Sequence, residues 1–229
     1  MKIAIIAAMR KELDLILSQL GDYKESSLDG TPVYEGREGD NEYVITQCGI
    51  GKVNAALRTQ RIIDRYLPDM VINSGVAGSV DDQMEIGSVL IADKVAYHDV
   101  WCGPGTEQGH ADNCPLYFTA SSDGVEILRK VSEDSDADIH VGLLCSGDRF
   151  ISRPEEVEEI KEKFPCALGC DMESAAIAHT CYRNNVPFLI IRVTSDRPGS
   201  GKNVEEYTDF WTDAPARTFQ ILSYYLAQV

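Results

Sequence analysis

The sequence predicts an α/β fold: a single three-layer αβα domain around a central mixed, largely parallel sheet. Short apolar runs with the length of buried strands alternate along the whole chain with longer segments of helical periodicity. The 229 residues, 44% of them hydrophobic, suffice for a substantial core. They contain no Pro-, Gly- or Ser-rich linker and no shift in composition, so we expect one domain over residues 1–229.

The predicted strands are short runs bounded by turn residues. The first (KIAIIAA) and the last are apolar almost throughout, as expected for strands covered on both faces. Two runs on either side of Gly39-Asp40-Asn41 are typical of a hairpin, which adds antiparallel pairs to the sheet. In chain order, the strands are expected at residues 2–8, 31–36, 42–47, 69–75, 88–97, 140–146 and 187–194.

The predicted helices lie between these strands. Each is a segment of 10 to 16 residues in which apolar side chains recur with helical spacing. In chain order, the helices are expected at residues 9–20, 52–66, 123–132, 154–164, 171–185 and 212–227.

The helix predicted over 171–185 carries Asp171 and Glu173 in its first turn. One interpretation is that these acids complement the positive end of the helix dipole. However, apolar residues cover most of this helix, so we expect it to be buried. Buried carboxylates are costly without partners, and the second interpretation is therefore a ligand with several hydroxyl groups.

Charge and cysteine content exclude several classes of partner. There are 21 Lys and Arg residues against 37 Asp and Glu, a net charge of −16 that repels nucleic acid and anionic membranes. No apolar window approaches the ~20 residues of a membrane span, and the N-terminal run is too short for a signal peptide. Seven cysteines without a C-x-x-C pair suit the reducing cytoplasm. We expect no metal and no cofactor.

Three acids follow predicted strands or open predicted helices. Glu12 and Glu173 fall in first helical turns, and Asp196 ends the apolar run PFLIIRVTSD. Ligands of α/β sheets bind beyond the carboxyl ends of the strands, so these acids are candidates for one shared crevice. Each also has a plain explanation, as a partner of the helix dipole or as a cap.

Six ordered motifs resemble the 5′-methylthioadenosine/S-adenosylhomocysteine nucleosidases of the purine nucleoside phosphorylase-like superfamily. They are IAAMRKEL (6–13), CGIGKVNAA (48–56), NSGVAGS (73–79), SGDRFI (146–151), DMESAAIAHTC (171–181) and RVTSD (192–196). The resemblance implies a nucleoside phosphorylase-like fold and a homodimer. It also implies hydrolysis of an adenine nucleoside, which releases adenine and a 5′-thio-substituted ribose.

The resemblance also implies a role for each matching residue. Glu12 would be the general base that activates water, and Asp196 the general acid that protonates the leaving adenine. Glu173 would bind the ribose 2′- and 3′-hydroxyls, with Met172 packed under the sugar. The other residues implied to bind substrate are Phe150 by stacking on the purine, Ile151 through its backbone, and Ala77, Gly78 and Ser195 as lining.

Several alternatives remain open at this stage. A sister activity on aminofutalosine would use the same site. A phosphorylase would use phosphate in place of water, with Arg10 as a candidate phosphate ligand, and a non-catalytic purine-binding module would leave the nucleoside intact. Asp171 stands where the family more often has Glu. The counterpart of the Gly-rich segment 100–113 crosses the dimer interface in relatives.

Overall fold

The structure is a computed structural model that describes residues 1–133, 137–213 and 220–229. These residues form ten strands and seven helices. In chain order they are β1 (Lys2–Ala7), α1 (Arg10–Leu17), β2 (Tyr23–Leu28), β3 (Thr31–Glu38), β4 (Asn41–Gln47), α2 (Lys52–Tyr66), β5 (Met70–Ser79), β6 (Val89–Tyr97), β7 (Phe118–Thr119), α3 (Ser122–Glu133), β8 (Ile139–Ser146), α4 (Pro154–Lys163), β9 (Ala167–Asp171), α5 (Ser174–Asn184), β10 (Phe188–Asp196), α6 (Asn203–Asp213) and α7 (Gln220–Leu226).

Two groups of parallel strands form the centre of the sheet, and β2, β3 and β7 join it through antiparallel pairs. β4, β1, β5 and β10 are parallel neighbours in that order, and β6, β8 and β9 form the second group. Antiparallel pairs join β5 to β9 and β10 to β6, so five strands close into a ring. The predicted α/β class with a central mixed sheet is confirmed, whereas the closed ring was not predicted.

The core forms on the central strands because their sequences are apolar on both faces. All residues of β10 are buried, and the isoleucines of β1 have no exposed surface. Helix α5 is buried through Ala175–Ala178 and at Cys181, as its apolar composition predicted. In the described ranges, no helix combines the length and the apolar character that crossing a membrane requires.

The carboxyl ends of β1, β5 and β10 meet at one edge of the sheet. β1, β5 and β10 run in the same direction, with Ile6 beside Asn73 and Asp196 beside Gly78. The antiparallel strand β9 reaches the same place from the other side, where Cys170 pairs with Gly78. Motifs far apart in sequence are therefore neighbours in space.

Two predictions near this edge are wrong in detail. Asp171 and Glu173 do not lie in a first helical turn, because Asp171 ends β9 and Glu173 is the N-cap residue of α5. The strand predicted to end at residue 75 continues to Ser79, so the motif NSGVAGS lies within β5 and not after it. Pairing with both β10 and β9 keeps this glycine-containing segment extended.

The helix predicted over 212–227 also differs from the structure. Helix α6 begins earlier, at Asn203, and ends at Asp213. Residues 214–219 of the predicted helix lie outside the described residues, and α7 follows over Gln220–Leu226. Strand β2 was not predicted because its sequence YKESSL is largely exposed and lacks apolar alternation.

Candidate active site

A cavity opens where β1, β5, β9 and β10 end. Residues from these strands and from the segments after them form most of its wall, and α6 closes one side. The described residues that line it are Ala8, Met9, Glu12, Ile50, Val76, Ala77, Gly78, Phe150, Cys170, Asp171, Met172, Glu173, Ser195, Asp196 and Tyr207.

Glu12 is fixed by three backbone N–H groups. Its Oε2 accepts hydrogen bonds from Ala8 N at 2.9 Å and Met9 N at 2.8 Å, and its Oε1 accepts one from Val76 N at 3.1 Å. Only 2% of the residue is exposed. Burial raises the pKa of Glu12, while the charge of Arg192 and the three backbone bonds lower it. The carboxylate is therefore both oriented and desolvated.

Glu173 faces the same cavity from the start of α5. Its Oε1 accepts a hydrogen bond from Gly51 N at 2.8 Å. Burial raises the pKa of Glu173, and the neighbouring charge of Asp171 raises it further. The opposing influences are the Gly51 bond and the Arg192 charge. Glu173 is thus a buried hydrogen-bond acceptor on the same cavity as Glu12.

A buried ion pair between Arg192 and Asp171 lies next to the cavity. Nη2 of Arg192 lies 2.8 Å from Oδ2 of Asp171, and both side chains are 2% exposed. Asp171 also accepts hydrogen bonds at 2.5 Å from the hydroxyls of Ser146 and Ser174. Asn73 accepts a further bond from Arg192. Asp171 lines the cavity, but its oxygens are occupied by protein donors, which explains why this acid is buried.

Asp196 ends β10 at another side of the cavity. The residue is 2% exposed, and its Oδ1 accepts a hydrogen bond from Ser195 Oγ at 2.7 Å. Burial raises the pKa of Asp196 to about 6, although its hydrogen bonds from Ser195 and Asn203 oppose this shift. A carboxyl with this pKa holds a proton at mildly acidic pH and is able to donate it.

Apolar groups form the outer part of the cavity. Phe150 is 47% exposed and Ile50 is 53% exposed, so the cavity opens to solvent here. The ring of Tyr207 meets that of Phe150 edge to face at 5.8 Å between centroids. The Tyr207 hydroxyl donates to Sδ of Met9 at 3.2 Å. The arrangement is a slot for a flat apolar group with an open end.

Eight of the nine site residues predicted from the sequence lie on this cavity. They are Glu12, Ala77, Gly78, Phe150, Met172, Glu173, Ser195 and Asp196. Ile151 does not line it: its side chain packs with Ile160 and Phe164 in a second core cluster, and its carbonyl accepts a bond from Asn203 Nδ2 at 3.3 Å. This packing concerns the side chain of Ile151, whereas the role implied for this residue is a hydrogen bond from its backbone, which stays a prediction.

Several lining residues were not predicted. Met9 and Ile50 lie inside the motifs at 6–13 and 48–56, so their positions within those motifs were the available signal. Tyr207 lies on α6 in the acidic segment NVEEYTDFWTD, ahead of residue 212, where the predicted helix begins. No role was predicted for Arg192, the first residue of RVTSD, because the sequence does not show which residue pairs with a charge in an apolar strand.

The alternative assignments find little support in the geometry. Arg10 lies outside the cavity, where it bonds Asp14 at 2.7 Å and the Tyr34 hydroxyl at 3.1 Å. Within the residues that the structure describes, no group of three His, Cys, Asp or Glu side chains is placed to hold a metal ion.

The arrangement brings three kinds of chemistry together. It has an oriented carboxylate in Glu12, a carboxyl with a raised pKa in Asp196, and a third acid in Glu173 with a free face toward the cavity. Cleavage of a glycosidic bond through an oxocarbenium-like state needs a proton donor, a base for water and nearby negative charge.

Comparisons with known proteins agree with this geometry. The sequence model of the Phosphorylase superfamily matches residues 2–227. A 5′-methylthioadenosine/S-adenosylhomocysteine nucleosidase of Staphylococcus aureus is 42% identical over 195 residues, which are 85% of this chain and 86% of that protein.

Solved structures give the same result for the fold. The S-adenosylhomocysteine nucleosidase of Streptococcus pyogenes, in complex with 5-methylthiotubericidin, superposes with a TM-score of 0.95 at 33% identity over 100% of this chain and 97% of that one. The nucleosidase of S. pneumoniae with a transition-state inhibitor has a TM-score of 0.93 at 35% identity over 99% and 98%. This chain belongs to the 5′-methylthioadenosine/S-adenosylhomocysteine nucleosidase family of the Phosphorylase superfamily.

Proposed function

We propose that this protein hydrolyses the N-glycosidic bond of 5′-methylthioadenosine and S-adenosylhomocysteine, releasing adenine and the 5′-thio-substituted ribose. The observation that carries the proposal is the convergence of Glu12, Glu173 and Asp196 on one cavity at the sheet edge. The names of its relatives, and the adenosine-like compounds bound in their structures, support the same substrate class.

Asp196 is the general acid in this proposal. Its pKa of about 6 leaves a useful fraction protonated near neutral pH, and Ser195 holds the carboxyl in place through the 2.7 Å bond. Proton donation to the adenine ring makes it a better leaving group. The bond electrons then stay with the base as the sugar becomes oxocarbenium-like.

Glu12 is the general base that takes a proton from the attacking water. Backbone bonds fill both lone pairs of Oε2 and one of Oε1, so Oε1 keeps one lone pair for the water. Burial raises the pKa of Glu12, and the charge of Arg192 opposes this shift and so favours the ionised form that a base requires. The negative charge also stabilises the positive charge that develops on the sugar.

The remaining lining residues hold the nucleoside. Glu173 accepts hydrogen bonds from the 2′- and 3′-hydroxyls, with Met172 packed under the sugar. Phe150 stacks on the purine, and Ala77 and Gly78 leave room for its ring. A side chain at Gly78 would place its Cβ 2.7 Å from Cγ of Pro198, so the wall is already close-packed at this point.

The phosphorylase and binding-module alternatives are not favoured. The described lining of the cavity includes no Lys or Arg side chain, although a phosphate co-substrate would need one. Arg10, the candidate phosphate ligand, is held outside by Asp14. A pure binder would have no use for both a positioned acid and a positioned base.

We also propose a cytoplasmic homodimer. Each of the seven cysteines, all within the described ranges, carries a free thiol, which suits a reducing compartment. Several large apolar side chains are exposed, and two of them, Ile50 and Phe150, line the cavity, as expected for surface that a second copy covers. They are Ile50, Val53, Leu57, Trp101 and Phe150. Sedimentation at micromolar concentration would give twice the chain mass of 25.3 kDa if the dimer forms.

The deciding experiment is chromatography of 5′-methylthioadenosine incubated with the pure protein, in parallel buffers with and without phosphate. We expect adenine and free methylthioribose at equal rates in both buffers. Phosphate-dependent release of a sugar 1-phosphate would contradict hydrolysis, and binding without turnover would contradict catalysis. Glu12→Gln and Asp196→Asn are the matched controls, each expected to lose at least ~10² in kcat while remaining folded.

A further inference from the structure

Asn203 is a buried polar residue to which the proposed mechanism assigns no role. It is the first residue of α6, and only 4% of it is exposed. Its Nδ2 donates a hydrogen bond to the carbonyl of Ile151 at 3.3 Å. A polar residue that caps a helix start works through a side-chain oxygen, which accepts from the helix backbone. The Nδ2 bond leads out of the helix instead, so capping does not explain it.

The same amide also binds the proposed general acid. Asp196 accepts a hydrogen bond from the side chain of Asn203 in addition to the one from Ser195 Oγ. The Nδ2 atom of an asparagine carries two hydrogens, so one amide is able to serve both a carboxylate and a carbonyl. Asn203 thus connects the end of β10 to the segment after β8, two parts of the chain that are far apart in sequence.

A second contact joins the same two segments. Gly199 N, shortly after Asp196, donates to Ser152 O at 3.2 Å, and a Cβ on Gly199 would lie 3.0 Å from Cα of Pro154. The segment after β8 also carries Phe150, which stacks on the purine in the proposed function. Because the acid and this segment act on the same base, their relative position determines whether the proton reaches it.

The ionisable groups around Asp196 do not fix its position. Burial raises the pKa of Asp196, and the charge of Glu206 on α6 adds to this shift. Cys170 on β9 and Tyr207 on α6 also interact with Asp196, but burial raises the pKa of both, so they stay neutral. The hydrogen bond from Asn203 opposes the effect of burial and is directional, as an orienting contact must be.

We propose that Asn203 is a positioning residue whose amide fixes the carboxyl of Asp196 relative to the backbone of Ile151. This inference rests on the proposed function and deepens it. Without the amide, Asp196 keeps Ser195 as a partner but is free to turn away from the base. The loss then falls on the transition state, in which the proton is transferred, and not on substrate binding.

The test uses Asn203→Leu, which removes the donor, and Asn203→Asp, which puts an oxygen in place of Nδ2. We expect kcat for 5′-methylthioadenosine to fall about tenfold in both variants, with KM changed less than about twofold. The alkaline limb of kcat/KM should move to higher pH, because the charged form of Asp196 loses a hydrogen bond. The shift should be larger in Asn203→Asp, since the added carboxylate repels that charged form.

Asn41→Leu is the matched control. Asn41 is 7% exposed, and its Nδ2 donates to a backbone carbonyl, that of Val229, at 2.7 Å. It begins β4, at the end of the parallel strands opposite the cavity. Its loss should lower the melting temperature, as the loss of a structural bond does, and leave kcat and the alkaline limb unchanged.

Both readouts must change for the proposal to stand. An alkaline limb that stays in place would overturn it whatever happens to kcat, because the amide would then not act through Asp196. A shifted limb with wild-type kcat would overturn the positioning role, because the acid would be in place without the amide. Absence of turnover by the unmodified protein would instead contradict the proposed function. Thermal unfolding checks that each variant is folded at the assay temperature.

Discussion

Gly75 leaves the space that the Glu12 carboxylate occupies. A Cβ atom built on Gly75 would lie 2.5 Å from Oε1 of Glu12, a distance that non-bonded atoms do not adopt. Glu12 has no easy way to retreat, because Val76 N, Ala8 N and Met9 N all bind it. The absence of a side chain at Gly75 in β5 is therefore required for the position of the Glu12 carboxylate.

We expect Gly75→Ala to lose at least ~10² in kcat, because the methyl group displaces a base whose position sets the rate. Steady-state kinetics with 5′-methylthioadenosine measures this loss. Gly21→Ala is the matched control, since a Cβ there meets no heavy atom within 4 Å. Wild-type kcat in Gly75→Ala would show that the position of Glu12 is not critical.

The pH profile is expected to report on Asp196. A general acid must hold its proton, so kcat/KM should fall as the pH rises through the pKa of Asp196 in the free enzyme, about 6. Ser195 lowers this pKa by donating a hydrogen bond to the charged form. Ser195→Ala should therefore move the alkaline limb to higher pH.

Profiles of kcat/KM for the wild type, Ser195→Ala and Ser18→Ala test this prediction. Ser18 donates its hydroxyl to Leu15 O on the surface of α1, far from the acid in the fold, so its removal should leave the limb in place. If Ser195→Ala and the wild type have the same alkaline limb, Asp196 is not the group that sets it.

The acids of the site could be predicted from the sequence, but the residues that surround them could not. Glu12, Glu173 and Asp196 lie in local motifs at or near strand ends, where chain direction alone brings them together. The partner of Asp171 is Arg192, which sits 21 positions away in an apolar strand, so nothing local in the sequence reveals the pair. Tyr207 reaches Met9 across 198 positions from helix α6, so nothing local in the sequence reveals this contact either.

The buried carboxyl of Asp196 should also lower the free energy of unfolding at neutral pH. Burial raises the pKa of Asp196 from 3.8 to about 6 in the folded protein, so folding favours the protonated form. The stability from this group is complete below pH 3.8 and is lost as the pH rises through 6. At 1.36 kcal/mol per unit, the loss is about 3 kcal/mol.

Asp196→Asn removes this titration, because the amide does not ionise. We expect the unfolding free energy of the variant, relative to the wild type, to increase by about 2.4 kcal/mol between roughly pH 4 and pH 7.5. Urea denaturation at several pH values measures the difference, and the other acids cancel because both proteins contain them. A difference that does not change with pH would mean that the pKa of Asp196 is not raised in the fold.

The buried pair of Asp171 and Arg192 is expected to behave differently from a surface pair of similar length. Asp171→Asn would leave the Arg192 guanidinium buried without a counter-charge and would turn amide hydrogens toward donors, at a cost of about 3–5 kcal/mol. Asp14→Asn is the control: Asp14 bonds Arg10 at 2.7 Å, but both side chains are more than half exposed, so its loss should cost less than about 1 kcal/mol. Urea denaturation of the two variants at neutral pH gives the comparison. Equal losses would show that water or a rearranged hydroxyl stabilises the charge of Arg192 when the carboxylate is absent. The carboxylate of Asp171 would then be required for the reaction and not for the stability of the fold.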